Sequence, residues 1–160
     1  MRIFSLVLAL VCGVSNADTG YVYSGDLNGD GVADSIRSGP SDLFGNGGGP
    51  FVVSISDGSG GFIARDIGLH PLAVSLDLVT GHPRLWTYWR SSCCGGTLSV
   101  TTLDEKFETY FVPLEFGEDF SSPTASRDVY NSIFSTERRI EFEVVADYEP
   151  PPPLRGEWGK

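Results

Sequence analysis

The sequence predicts a mainly β domain, built as a compact antiparallel sheet or sandwich with at most one short helix. From residue 51 onward, short runs rich in β-branched and aromatic residues are separated by turns rich in glycine, aspartate and serine. A helical pattern is present only after residue 121. The 160 residues suit one domain that can bury a core of its own.

The strands are predicted from apolar alternation and from turn chemistry. The clearest hairpin joins residues 51–56 to residues 62–67, because both arms are apolar and the residues between them are mostly glycine and serine. Further strands are predicted over residues 72–78, 84–90, 97–103, 107–114 and 139–146. Together with the residues around 21–23 and 36, this indicates about eight or nine strands.

For two of these strands and for the helix, the sequence predicts which apolar residues share one face. In the strand at 72–78, Val74, Leu76 and Leu78 share one side, and in the last strand Ile140, Phe142 and Val144 do so. For the helix, Ser122 suits the N-cap and Pro123 the first helical position. The apolar residues expected on one helix face are Val129, Tyr130, Ile133 and Phe134.

The two ends of the chain differ from its centre. Residues 1–17 are typical of a secretory signal peptide, since Arg2 precedes an apolar run that is too short for a membrane span, and small residues precede the expected cleavage site. We therefore expect a periplasmic or secreted protein without a membrane span. Lipidation at Cys12 is an open alternative. Residues 18–148 form the expected domain, and residues 149–160 form a proline-rich tail, either a linker or a segment that docks through Trp158.

The net charge of the chain is −10 at pH 7. Because nucleic acids and anionic membranes are also negative, this charge argues against both as partners. It is compatible with calcium binding and with attraction to a basic protein.

The loop over residues 26–34 is the strongest functional feature. Its oxygen donors fall at nearly alternate positions, as a calcium loop requires, because Ca²⁺ takes six to eight oxygen ligands from carboxylate, amide and carbonyl groups. The predicted calcium ligands are Asp26, Asn28, Asp30, the main-chain carbonyl of Val32, and Asp34. Gly29 and Gly31 allow the positive φ angles that a tight loop needs.

The nine-residue pattern D-x-N-x-D-G-x-x-D in this loop resembles the FG-GAP/VCBS repeats, and the glycine-rich hairpin at residues 51–68 is similar to the one that follows in those repeats. This resemblance covers about a third of the chain and implies a calcium loop between strands of a β-propeller blade. An EF-hand is a poor match, because Arg37 occupies the position of its last carboxylate. Since a propeller repeats its blade and the pattern occurs once, we expect partial propeller-like blades at most, and prefer the sandwich.

Cys93 and Cys94 are adjacent, and they are the only cysteines after the expected leader. In an oxidising compartment they can form a vicinal disulfide. Neighbouring Cα atoms lie about 3.8 Å apart, below the usual disulfide range of about 4.4–6.8 Å, so that bridge is strained. A bridge to a second chain and two thiols are open alternatives.

No catalytic motif is recognisable, and we expect no enzymatic activity. His70 and His82 each precede a proline in a turn, outside any pattern of catalytic or metal-binding residues. Glu141 and Glu143 alternate on the polar face of a strand, which is typical of a solvated surface.

Export, acidity and the calcium loop suggest a non-catalytic calcium-binding module that recognises a protein or a glycan. The expected contact residues are the aromatic side chains Trp86, Tyr88 and Trp89, although the faces of this strand can equally belong to a core. The alternative is a periplasmic inhibitor or immunity protein against a basic toxin or cell-wall hydrolase. A third hypothesis is a hydrolase with a structural calcium ion.

Overall fold

The computed structural model describes residues 18–78, 81–117, 124–135 and 137–158. Within them, nine strands form two antiparallel sheets, which confirms the predicted mainly β fold. The strands are β1 (Gly20–Gly25), β2 (Asp34–Ser38), β3 (Gly49–Ser56), β4 (Phe62–Leu69), β5 (Val74–Asp77), β6 (Arg84–Arg90), β7 (Gly95–Thr102), β8 (Thr109–Glu115) and β9 (Glu143–Val145). A 3₁₀ turn spans Ser41–Leu43, and the helix α1 spans Ala125–Ile133.

Sheet 1 has the spatial order β4-β3-β2-β1-β9, and sheet 2 has the order β5-β6-β7-β8. The hairpin predicted from residues 51–67 is present, with Ser56 of β3 opposite Phe62 of β4. The strand predicted at 84–90 has the predicted bounds. Most neighbouring strands follow each other in the chain, so short turns determine the pairing within each sheet.

The two sheets share one apolar core. It contains side chains from both of them, among which Ile36, Phe51 and Val53 come from sheet 1, and Val74 and Leu85 from sheet 2. All five are fully buried. Such sharing of one core between two facing sheets is the defining feature of a β sandwich.

Helix α1 adds a third layer on the other face of sheet 2. A second apolar cluster there joins Tyr88 and Leu98 of the sheet to Phe134, which directly follows the helix. The helix is capped by Thr124, whose hydroxyl accepts a hydrogen bond of 3.2 Å from the main-chain N–H of Arg127.

The predicted N-cap at Ser122 is wrong, because the helix begins at Ala125 and Thr124 occupies the capping position. Ser122 and Pro123 themselves lie outside the described residues, as does the expected signal peptide with Cys12. Within the described part of the chain, no helix has the length and apolarity of a membrane span.

Residues 138–145 link the two sheets along one side of the sandwich. The main-chain N–H of Ile140 donates to the carbonyl of Val74 in sheet 2 (2.9 Å), and Glu143–Val145 then pairs with β1 in sheet 1. Because the segment crosses between sheets, its strand is shorter than predicted. Ile140 is buried, but Val144 is 63% exposed, so the residues predicted to share one side of this strand do not share one environment.

The strand predicted at 72–78 is also shorter than expected, because β5 covers only Val74–Asp77. Leu72 and Leu78 lie outside it and are largely exposed. Leu78 therefore does not belong to the strand in which it was predicted, whereas Val74 does and is buried.

The C-terminal tail contacts the outer face of sheet 1. The Arg37 guanidinium donates to the carbonyl of Glu149 (3.1 Å), and the main-chain N–H of Leu154 donates to the Asp66 carboxylate (3.4 Å). The indole of Trp158 donates to the carbonyl of Pro151 (3.3 Å). The first two contacts hold the described part of the tail against sheet 1, whereas the Trp158 bond lies within the tail, so docking through Trp158 stays a prediction.

Gly48 provides a test of the packing between the loop before β3 and the end of β4. Its φ is 116°, and a Cβ at this position would overlap the main-chain carbonyl of Leu69. Gly58 has a φ of 73° but open space around it. We expect Gly48→Ala to lower the free energy of unfolding by about 2–4 kcal/mol, and Gly58→Ala by about 1–2 kcal/mol. Urea unfolding measures both, and equal losses would show that the predicted overlap has no cost.

Candidate functional site

The loop over residues 26–34 connects β1 to β2 at one end of sheet 1. Gly29 and Gly31 both have a φ of 83°, which a glycine adopts without the steric cost that other residues have. The side chain of Leu27 is fully buried in the shared core. The loop is therefore held at its base by an apolar side chain, while its glycine-rich tip is exposed.

The carboxylate of Asp26 binds the main chain of the loop tip. It accepts hydrogen bonds from the N–H groups of Gly29 (2.6 Å), Asp30 (3.2 Å) and Gly31 (2.9 Å). These N–H groups would otherwise need water, so the Asp26 side chain stabilises the tight loop conformation.

Asp34, the first residue of β2, is only 1% exposed. One of its oxygens accepts hydrogen bonds from the N–H groups of Leu27 (2.7 Å) and Asn28 (3.2 Å), and the other accepts from the N–H of Ser56 (2.8 Å). Since Ser56 is the last residue of β3, the Asp34 carboxylate connects the loop to the neighbouring hairpin. Three N–H donors compensate the loss of water around this buried charge.

The Asp30 carboxylate also contacts Ser56. It accepts hydrogen bonds from the Ser56 hydroxyl, from the N–H of Val32 (2.7 Å) and from the amide group of Asn28 (3.1 Å). The Ser56 hydroxyl, together with the Val32 N–H, lowers the pKa of Asp30 below its ordinary value of 3.8. Asp30 is therefore ionised at neutral pH.

The donor set of the loop fits calcium chemically, because every candidate ligand is an oxygen. Each of the three aspartates accepts three hydrogen bonds from described residues. A carboxylate offers about four lone-pair sites, so about one site on each remains. However, no group of three or more His, Cys, Asp or Glu side chains in the described ranges has the arrangement of a metal site. The carboxylates are directed mainly towards amide groups of the protein.

The structure also reveals an acidic cleft beside the loop that the sequence analysis missed. It has a volume of about 260 Å³, and its lining includes Asn28 and Asp30 of the loop, Asp57 of the β3–β4 turn, and Asp104 and Glu105 of the β7–β8 turn. The Ser59 hydroxyl and N–H, followed by the Gly61 N–H, lower the pKa of Asp57. The sequence indicated both turns, but only the packing of the two sheets brings them together.

The three aromatic residues predicted as one contact surface are divided between two faces of β6. Tyr88 is buried and Trp86 is half-buried against the cluster beneath α1. Trp89 points to the opposite face and is 41% exposed, next to Gly47 and Gly68. These three side chains therefore do not form one surface.

The Cys93 and Cys94 sulfurs lie 2.6 Å apart in the turn between β6 and β7. The guanidinium of Arg90 holds this turn through hydrogen bonds to the carbonyls of Ser92 (2.9 Å) and Cys93 (3.3 Å). The turn therefore keeps the two sulfurs close, and the vicinal disulfide stays a prediction.

The two histidines lie in connections between strands, as the sequence indicated. The Nδ1 atom of His70 accepts a hydrogen bond from the N–H of Leu72 (3.2 Å), and burial, with the nearby Arg139 charge, lowers the pKa of His70. Glu141 and Glu143 are exposed. The absence of enzymatic activity stays a prediction.

Comparison with known proteins identifies no relative of the chain. No protein-family model, no curated protein and no solved structure matches it. The FG-GAP/VCBS resemblance stays a prediction based on the loop and on the hairpin that follows it.

Asp34→Asn tests the connection between the loop and β3. An asparagine places an NH₂ group where one oxygen accepts from a main-chain N–H, so at least one buried donor loses its partner. We expect the free energy of unfolding to fall by about 2–4 kcal/mol. Asp57→Asn, at an exposed turn, is the control and should cost clearly less than Asp34→Asn. Urea unfolding in chelator separates this effect from any metal effect, and equal losses would contradict the anchoring role of Asp34.

Proposed function

We propose that the protein is an exported, non-catalytic binding module whose loop at residues 26–34 binds Ca²⁺. The observation that supports this most directly is the remaining acceptor capacity of Asp26, Asp30 and Asp34, about one lone-pair site on each carboxylate. The Asn28 amide oxygen and the Val32 carbonyl would complete an all-oxygen set. The partner of the module would be a protein or a glycan.

Calcium would act here as a structural ion. Three carboxylates within nine residues repel one another, and a divalent cation removes that cost when it is bound. Because Asp30 and Asp34 both contact Ser56, a change in the loop would be transmitted to the end of β3. Outside the cytosol a weak site is sufficient, since extracellular calcium modules have dissociation constants of about 10⁻⁴–10⁻³ M.

The calcium proposal predicts a stability difference between calcium and chelator. In 10 mM Ca²⁺, a site with a dissociation constant of about 0.1–1 mM adds about 1.4–2.7 kcal/mol to the free energy of unfolding. We expect Asp30→Ala to abolish most of this gain, whereas Asp42→Ala, which changes an exposed aspartate outside the loop, should retain it. Thermal unfolding of the purified protein in calcium, magnesium and chelator measures the effect.

Two outcomes of this experiment would contradict calcium binding. One is an unchanged melting temperature of the unaltered protein in calcium. The other is an equal gain in magnesium, which would indicate general screening of the acidic residues, because Mg²⁺ demands a smaller, octahedral site.

The acidic cleft supports a second candidate function, inhibition of a basic toxin or cell-wall hydrolase. Its lining contains four carboxylates and no Lys, Arg or His among the described residues. Its negative potential would therefore be suited to a cationic side chain or a basic surface. Unlike the calcium site, this cleft is formed by residues of sheet 1 together with residues of the β7–β8 turn.

The inhibitor hypothesis predicts salt-dependent binding to a basic cell-wall hydrolase such as lysozyme. We expect the double variant Asp104→Asn/Glu105→Gln to weaken binding by at least about tenfold at low salt, since rim and cleft charges control electrostatic association. The matched control is Asp128→Asn/Glu137→Gln, which removes two charges elsewhere. Calorimetry at two salt concentrations, together with a hydrolysis assay, measures binding and inhibition. Equal weakening by both pairs would assign the effect to net charge alone, and no binding would exclude this target.

A further inference from the structure

A second cavity lies on the opposite side of sheet 2 from the shared core, between that sheet and helix α1. Its volume is about 430 Å³, within the range of roughly 300–1,000 Å³ that is usual for small-molecule sites. Ala73 comes from the β4–β5 connection, Tyr88 and Arg90 from β6, and Arg127 and Tyr130 from α1. We call this space the arginine cavity.

The charge of the arginine cavity is opposite to that of the rest of the protein. The chain has 21 acidic and 11 basic residues, yet two arginines and no described aspartate or glutamate line this cavity. Its local potential is therefore positive, which disfavours a cationic ligand and favours an anion.

The side chain of Arg127 has a donor without an acceptor. Its Nη2 atom is buried and has no hydrogen-bond partner among the described residues. A buried donor of a charged group is costly to leave unsatisfied. The planar guanidinium matches a carboxylate, which can accept two parallel hydrogen bonds from it. Since Arg127 lines the cavity, an anion bound there is the candidate acceptor for this donor.

Arg90, His70 and Tyr88 also offer hydrogen-bond donors to the cavity in the absence of a ligand. The hydrogen bonds from Arg90 to the carbonyls of Ser92 and Cys93 use two of its five N–H donors. Burial lowers the pKa of His70, so its imidazole is neutral at pH 7. Since Nδ1 of His70 accepts from the Leu72 N–H, Nε2 carries the proton. Burial raises the pKa of Tyr88, so its hydroxyl also remains a donor.

Three aromatic rings form the apolar wall of the cavity. The ring centroids of Tyr88 and Tyr130 are 5.1 Å apart, and Phe116 lies 5.9 Å from each of them. All three pairs are edge-to-face, with interplanar angles of 80–83°. Such a mutually packed set is rigid and suits the flat apolar body of a ligand.

From the unpaired Nη2 donor of Arg127 and the adjacent aromatic wall, we infer that the arginine cavity binds a small aromatic carboxylate. The carboxylate contacts Arg127 and Arg90, and the ring packs on Tyr88, Phe116 and Tyr130. The site is independent of the calcium loop, which lies in sheet 1, so this inference does not rest on the proposed function.

The first test compares an acid with its neutral amide on the unaltered protein. The purified protein is titrated with 2-naphthoate and with 2-naphthamide, and binding is followed by calorimetry and by amide chemical shifts. We expect the acid to bind at least about tenfold more tightly, because the amide loses the charge-assisted pair. Shifts should concentrate at Ala73 and Asn131, which line the cavity. Equal affinities, no binding up to about 10 mM ligand, or shifts around Asp30 would overturn the inference.

The second test removes one charge from the cavity. Arg127→Gln should weaken 2-naphthoate binding by at least about tenfold while leaving the affinity for 2-naphthamide unchanged. Arg138→Gln is the matched control, since it removes an exposed arginine outside the cavity, and it should have no effect. If both variants weaken 2-naphthoate binding equally, the loss of affinity is due to the net charge of the protein and not to the cavity, which would contradict the inference. The comparison of acid with amide requires no variant, so it decides the question even if Arg127→Gln does not fold.

Discussion

The buried carboxylate of Asp34 is the interaction on which one end of the sandwich depends. It binds the start of the β1–β2 loop through Leu27 and Asn28, and the end of β3 through Ser56. Charge-assisted hydrogen bonds of this kind are strong and directional. The β1–β2 loop and the end of β3, which are far apart in sequence, are therefore held in a defined position relative to each other. The position of Asp30 beside Ser56, and with it one wall of the acidic cleft, follows from this arrangement.

Sheet 2 determines where the second candidate site can form. Its two faces are both covered, one by sheet 1 and the other by helix α1. Along β6, Leu85 contributes to the first core, and Tyr88 contributes to the second. The helix covers its face of the sheet incompletely, so a cavity remains that contains Arg90 and Arg127. The acidic cleft and this basic cavity thus belong to different layers of the molecule.

Much of the local structure could be predicted because it depends on neighbours in the sequence. The hairpin of β3 and β4 has a glycine-rich turn between two apolar arms, and β6 has a clear alternation. Predictions failed where a segment leaves one sheet for another. Val144 continues the alternation that begins at Ile140. Its strand, however, pairs with β1 at the edge of sheet 1, where the Val144 side chain is exposed to solvent. The helix start was missed because Ser122 and Thr124 both suit an N-cap.

The mainly β fold, most strand positions and the oxygen-rich composition of the loop could be predicted from the sequence alone, because periodicity, turn chemistry and ligand type are local properties. How the aspartates use their oxygens, which aromatic side chains are buried, and which turns meet all depend on tertiary packing. Asp57 and Asp104 lie on one cleft only because two sheets pack face to face. Arg127 lines a cavity with Arg90 only because the helix packs on sheet 2. Such contacts depend on long-range packing, which no local pattern encodes.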